Sequence, residues 1–220
     1  MENTIKQSLK ESTEAKQRLE TMSKEIEEMC KLIVNCYKNK GKIIIFGNGG
    51  SAADAQHIAA EMVCLLDRKN QRPSIPAIAL TVNTSILTAI ANDLGYDHLF
   101  SRQVHDLVTD KDVVIGISTS GNSPNVINAL QAAKERGAKA IAWTGAKGGK
   151  MDEMGNDFVL KVPSDSCARI QEMHITVGHV MCEVIEKELY GCWQPTARSA
   201  AEQARHPQQG STAEVIGSRE

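Results

Sequence analysis

Apolar and polar positions divide the chain into two regimes. Over residues 3–40, Leu9, Leu19, Met22, Ile26, Met29, Ile33 and Cys36 fall on one stripe, with Glu and Lys on many of the positions between. That spacing is the period of a long amphipathic helix. Its stripe has to be covered, either by the domain that follows or by a partner subunit. The period then changes. Residues 42–46 form an unbroken apolar run, the pattern of a strand buried on both faces, and residues 76–81, 112–118, 138–144 and 157–162 read as four more strands. Helical patterns fall between and after them at 52–66, near 84–91, at 123–136 (closed by Gly137) and at 170–189. Strands alternating with helices predict βαβ units, hence an α/β fold with a five-stranded parallel sheet flanked by helices.

Residues 1–40 are thus assigned to the N-terminal helix and 41–192 to the α/β domain. The 28 residues from Trp193 onward lack any period and are expected to form a disordered tail. Length and composition fit that division, since 220 residues suit one domain of about 100–200 residues with extensions. With 25 basic and 27 acidic side chains the formal net charge is −2, which argues against a broad nucleic-acid-binding surface. No apolar run approaches the roughly 20 residues of a membrane span. The first residues, Met1 to Thr4, are polar, so no nucleic-acid or membrane partner is expected and the cytoplasm is the expected location. The six cysteines (Cys30, Cys36, Cys64, Cys167, Cys182, Cys192) include no Cys-x-x-Cys pair and read as reduced thiols in apolar surroundings.

Two strands end in loops of small residues that open into helices, on the edge where parallel sheets bind ligands. The second, residues 118–123, carries the hydroxyls of Ser118, Thr119, Ser120 and Ser123 ahead of Pro124, which suits the first turn of a helix. Hydroxyls and free N–H groups at a helix start make an anion site. Without the lysine of a nucleotide P-loop or a Gly-x-Gly-x-x-Gly opening, a phosphomonoester fits better than a nucleotide. The competing reading is that the serines only cap a helix. The first loop leads to His57 and Glu61, four apart and on one helical face. On spacing alone a surface i,i+4 pair or a single core histidine is favoured over a functional pair. The last helix adds Gln171, Glu172, His174 and His179, and His179 lies among Val177, Val180, Met181, Val184 and Ile185, the side expected to be buried. Gln171 and His179 are eight apart, about 12 Å along a helix, too far to share a small site without leaning or a second subunit.

Taken in order, Gly47–Ser51, His57-x-x-x-Glu61, Ala91-Asn92-Asp93, Phe100-Ser101-Arg102, Ser118–Ser123, Arg169-Ile170-Gln171-Glu172-x-His174 and His179 resemble the phosphoheptose isomerases of the sugar isomerase (SIS) superfamily. The likeness runs from about residue 5 to 190. It implies a Rossmann-like three-layer fold, a homotetramer with active sites at subunit interfaces, and interconversion of sedoheptulose 7-phosphate and D-glycero-D-manno-heptose 7-phosphate, a precursor of bacterial surface polysaccharide. It implies one zinc ion per subunit on His57, Glu61, Gln171 and His179. The residues implied to hold substrate are Asn48, Gly49, Gly50, Glu61, Asn92, Asp93, Ser118, Thr119, Ser120, Ser123 and Gln171, with Ser51 a further phosphate contact. Aldose–ketose isomerisation needs a base over C1–C2 and an acid at the oxygens. Glu61 is the candidate base and His179 the candidate acid. Ala168 and Leu65 depart from the acidic and basic residues that some members carry there. The chief alternative is a non-catalytic SIS tetramer that binds the DnaA replication initiator. The resemblance has that protein lacking the counterparts of Glu61 and His179, both present here.

Overall fold

The structure, a computed structural model, describes residues 1–67 and 70–191. In chain order its elements are α1 (Glu2–Leu19), a 3-10 turn (Glu20–Met22), α2 (Ser23–Lys38), β1 (Ile43–Gly47), α3 (Gly50–Val63), β2 (Ala77–Ala79) and α4 (Thr84–Asp93). A second 3-10 turn (Tyr96–His98), α5 (Ser101–Leu107), β3 (Val113–Ile117), α6 (Pro124–Glu135), β4 (Lys139–Thr144), α7 (Lys150–Glu153), β5 (Phe158–Lys161) and α8 (Cys167–Tyr190) follow. The expected tail, and Cys192 with it, lies outside the described residues.

All five expected strands are present, in the order β2-β1-β3-β4-β5 and parallel throughout. Side chains alternate across the sheet as a two-residue period requires. Ile43, Ile45, Val113, Ile115, Ile117, Ile141 and Trp143 enter one core with residues of α2, α3, α8 and the end of α1. Ile44, Phe46, Val114, Ala140 and Ala142 enter the other, beneath α5 and α6. Each face is apolar because each is covered, so the strands read as continuous apolar runs.

Three expectations need correction. The helix over 3–40 is two helices, broken where the hydroxyls of Thr21 and Ser23 bond back to the carbonyls of Arg18 and Glu20; such bonds compete with the helical ladder. The second helix packs on the sheet through Ile26, Met29, Cys30 and Ile33, and the end of the first joins the same core through Ala15 and Leu19, whereas Ile5 and Leu9 stand exposed. The strand over 76–81 shrinks to Ala77–Ala79, because this edge strand pairs only with β1 and Pro76 has no N–H to extend the ladder. The short α5 and α7 have too few turns to impose a period and were not foreseen.

The connection from β1 through α3 crosses one face of the sheet to β2. That from β3 through α6 crosses the other face to β4. The strand order therefore reverses between β1 and β3, and the loops after these strands separate at the crevice where ligands of open parallel sheets bind.

Candidate active site

At that crevice the first loop turns sharply. Gly49 has φ of 56°, a left-handed conformation that a side chain disfavours, and the N–H groups of Ser51 and Ala52 bond back to Asn48 O and Gly49 O at 3.0 and 3.1 Å. In the second loop the hydroxyls gather on one another. Ser118 Oγ lies 2.9 Å from Ser123 Oγ and 3.4 Å from Ser120 Oγ, while Thr119 Oγ1 and Cys167 Sγ are 3.5 Å apart. Ser123 occupies the N-cap position of α6, yet its side chain makes no capping bond. Capping therefore does not account for it, and its hydroxyl stays with the cluster at the start of α6. Gly121 lets this loop pass against the next turn: a Cβ there would fall 1.9 Å from Gly148 O.

The two loops are joined across the crevice. Asn48 Nδ2 donates to Asn125 Oδ1 at 2.9 Å and Asn125 Nδ2 donates to Asn48 Oδ1 at 2.8 Å. Tyr96 Oη donates to the same Asn48 oxygen at 3.0 Å. With its oxygen engaged twice, Asn48 offers a ligand chiefly its remaining N–H. Sequence reasoning missed both partners. A polar residue in the first turn of α6, buried in the fold, was a signal for Asn125, and no pattern marks Tyr96. Asn92 and Asp93 end α4, exposed and bonded to each other at 2.6 Å, one short turn before Tyr96.

The second half of the site lies between α3 and α8. These helices run in the same direction, and Gly178 allows the close approach, since a Cβ there would sit 2.7 Å from Ile58 Cδ1. Gln171 lies at the first turn of α3, its amide 2.4 Å from where a Cβ of Gly50 would be, and bonds Asp54. Asp54 is buried and one of its oxygens has no partner. Burial raises its carboxyl above the usual range, against the opposing pull of the Gln171 bond and the charge of His57. Further along, His57 Nε2 and His179 Nε2 are 2.7 Å apart with rings edge to face, and Glu61 Oε1 is 3.5 Å from His57 Nε2. The structure thus brings His57, Glu61 and His179 together. It leaves Gln171 about two turns away beside Asp54, because eight residues of α8 run parallel to seven of α3.

One expectation is reversed. His179 and Val180 are exposed and Val184 is only half-buried, while Ile170, Met173, His174, Val177, Gly178, Met181, Cys182 and Ile185 form the buried stripe. His174 is the core histidine. Its Nε2 lies 3.1 Å from Thr144 O, and burial pushes its pKa down to about 4. Of the described cysteines, Cys30, Cys36 and Cys182 are buried thiols raised to about 12, 11 and 12, chiefly by desolvation, and Cys64 and Cys167 are exposed.

Among the described residues no group of three or more His, Cys, Asp or Glu side chains is set to hold a metal ion. The reason is visible at His57 and His179. Two nitrogens bound tetrahedrally to one zinc at 2.0–2.1 Å stand roughly 3.3 Å apart, against 2.7 Å here. The donor types fit zinc, and the two imidazoles need to part by about half an ångström to admit it.

A family model for the SIS domain matches residues 8–145. The phosphoheptose isomerase of Sulfurimonas denitrificans is 52% identical over 194 residues, covering 87% of this chain and 98% of that protein. That of Aneurinibacillus thermoaerophilus is 47% identical over 193 residues, with 86% and 96% covered. Among solved structures, the phosphoheptose isomerase of Neisseria gonorrhoeae superimposes with a TM-score of 0.79 at 46% identity, over 84% of this chain and 98% of that one. The enzyme from Francisella tularensis gives 0.80 at 35% identity, over 84% and 97%. These relatives carry an enzyme's name, which leaves the reading as a non-catalytic partner of the replication initiator unsupported. The fold, the loop that gathers its hydroxyls and the likeness over nearly the whole length of these proteins agree, and the chain belongs to the phosphoheptose isomerases, SIS-domain enzymes that interconvert an aldose and a ketose.

Proposed function

We propose that the protein converts sedoheptulose 7-phosphate to D-glycero-D-manno-heptose 7-phosphate in the cytoplasm, supplying heptose for surface polysaccharide. The observation that carries this reading is the placing of Glu61 and His179 on the same His57 nitrogen, at 3.5 and 2.7 Å. His57 stands seven residues into α3 from Gly50, where the anion loops open. Seven residues of helix rise about 10 Å, the reach of an extended seven-carbon chain from its phosphate to C1. The hydroxyls of Ser118, Thr119, Ser120 and Ser123, with Ser51 and the N–H groups at Gly49 and Gly50, hold the phosphate. Asn48, Asn92, Asp93 and Gln171 hold the sugar hydroxyls. Glu61 removes the proton from the carbon next to the carbonyl and returns it to the neighbouring carbon, while His179 protonates and deprotonates the oxygens and assists ring opening.

One zinc ion per subunit would be held by His57, Glu61 and His179, with Gln171 completing the set once it turns from Asp54. When bound, such an ion polarises the carbonyl and steadies the negative charge that develops on oxygen. The assembly is a homotetramer, a reading supported by the exposed Ile5 and Leu9 on α1 and Val180 on α8. Incubation with sedoheptulose 7-phosphate tests the reaction: aldose 7-phosphate accumulates if the reading holds, and no turnover with zinc supplied defeats it. Metal analysis of protein purified without chelator, beside His57→Ala, tests the ion; full activity after exhaustive chelation removes zinc from the account. Light scattering that returned a monomer at micromolar concentration removes the tetramer.

A further inference from the structure

Arg72 follows α3 in the segment that leads to β2. Its side chain is 1% exposed, a rare state for arginine unless every donor is matched. Here the donors are matched in two directions. Nη2 donates to Glu61 O at 2.8 Å and Nη1 to Met62 O at 2.9 Å, with a further bond to Pro73 O at 3.0 Å. Nε donates to Glu186 Oε2 at 2.8 Å, and Asn70 Nδ2 donates to the other oxygen of Glu186. Glu186 is itself buried on α8, seven residues beyond His179 and therefore on the same face.

The carbonyls concerned belong to the last turn of α3, which ends at Val63. The last four carbonyls of a helix have no partner within it, and an uncapped last turn frays. Glu61 sits in that turn. The guanidinium takes the carbonyl of Glu61 and of its neighbour, and its ion pair fixes both to the helix that carries His179. Lysine carries the charge but not the fork, so one ammonium cannot reproduce bonds to two helix carbonyls and a carboxylate together.

We propose that Arg72 is a positioning residue: through Glu186 it holds the last turn of α3 against α8 and so sets Glu61 and His57 against His179. This rests on the isomerase reading for its kinetic consequence and on geometry alone for its spectroscopic one. Removing Arg72 by itself leaves a buried, unpaired Glu186, which threatens folding, whereas replacing both members of a buried pair by apolar residues often does not. The test therefore uses R72K, which keeps the charge, and the double variant R72M/E186L, which keeps neither. Thermal unfolding first establishes that each is folded. The turnover of sedoheptulose 7-phosphate is then measured beside the nitrogen-15 signals of the His57 and His179 rings. Both variants are expected to lose at least about 10-fold in kcat, since misplacement of about 1 Å costs up to 10²-fold, with KM within about twofold because the phosphate loop is untouched. Both are expected to shift the two imidazole signals. Wild-type protein that does not turn over the heptose defeats the isomerase reading alone, and the imidazole signals still decide the positioning role. A folded R72K or R72M/E186L with wild-type ring signals, or with wild-type kcat in an active enzyme, overturns the proposal.

Discussion

Replacing Gly50 by alanine separates the stability of this fold from its chemistry. Gly50 opens α3 without a positive φ, so alanine meets no backbone strain there. Alanine gains up to about 1 kcal/mol over glycine within a helix, less at its first turn. The added Cβ would lie 2.4 Å from both the oxygen and the nitrogen of the Gln171 amide and 2.5 Å from its carbon. Ordinary contact begins near 3.4 Å, so the amide has to retreat by about 1 Å. It is the end of a flexible side chain, and it moves rather than α8. The bond to Asp54 is then lost, at about 1 kcal/mol, which the helix gain largely offsets. The midpoint of thermal unfolding should stay within about 4 °C of wild type, while kcat/KM falls on the order of 10²-fold. Gly121→Ala is the contrast. Its Cβ would strike a backbone oxygen at 1.9 Å from a φ of 65°, and nothing there can yield cheaply. Calorimetry and turnover on the two variants decide the matter. If Gly50→Ala keeps wild-type kcat/KM, or loses as much stability as Gly121→Ala, the assignment of Gln171 to the working site is wrong.

Three other outcomes follow from single contacts. His174, at about 4 in the fold against about 6.5 unfolded, refuses a proton that the unfolded chain accepts. Stability present above pH 6.5 is therefore lost as pH falls toward 4, by on the order of 3 kcal/mol, and urea unfolding of His174→Gln should lose that share of the slope. Ser120→Ala and Ser123→Ala should raise KM far more than they lower kcat, because they hold a group remote from the reacting carbons; variants that bind substrate normally would refute the phosphate assignment. Asn125→Ala removes both bonds to the Asn48 amide and should raise KM roughly 10-fold, as Asn48 loses its fixed orientation; unchanged KM would show that Asn48 does not face the sugar.

The fold was largely legible because its strands are buried on both faces. Residues 43–47 and 113–117 read as apolar runs, and each is followed by a loop of small residues and a helical pattern. The hydroxyl loop was legible for the same local reason, since Ser118 to Ser123 are neighbours in sequence as in space. What the sequence hid depends on contacts between distant segments. Which histidine of α8 is buried is set by how the helix rolls onto the sheet, since His174 and His179 lie about 140° apart round it. Asn125 and Tyr96 matter only through partners 77 and 48 positions away, and Arg72 ties two helix carbonyls 10 and 11 positions away to a carboxylate 114 positions away; no period announces such pairs. The break between α1 and α2 came from two hydroxyl side chains whose bonds to the backbone override the apolar stripe.

The central claim is that Glu61 moves a proton between C1 and C2 of a heptose 7-phosphate. Turnover of sedoheptulose 7-phosphate in deuterium oxide, followed by proton magnetic resonance, tests it most directly. Wild-type protein should yield the aldose 7-phosphate with deuterium at C2, and Glu61→Gln should bind the sugar phosphate yet show neither aldose nor exchange. Aldose formed by Glu61→Gln at the wild-type rate, or wild-type protein that leaves the ketose unchanged, would contradict it.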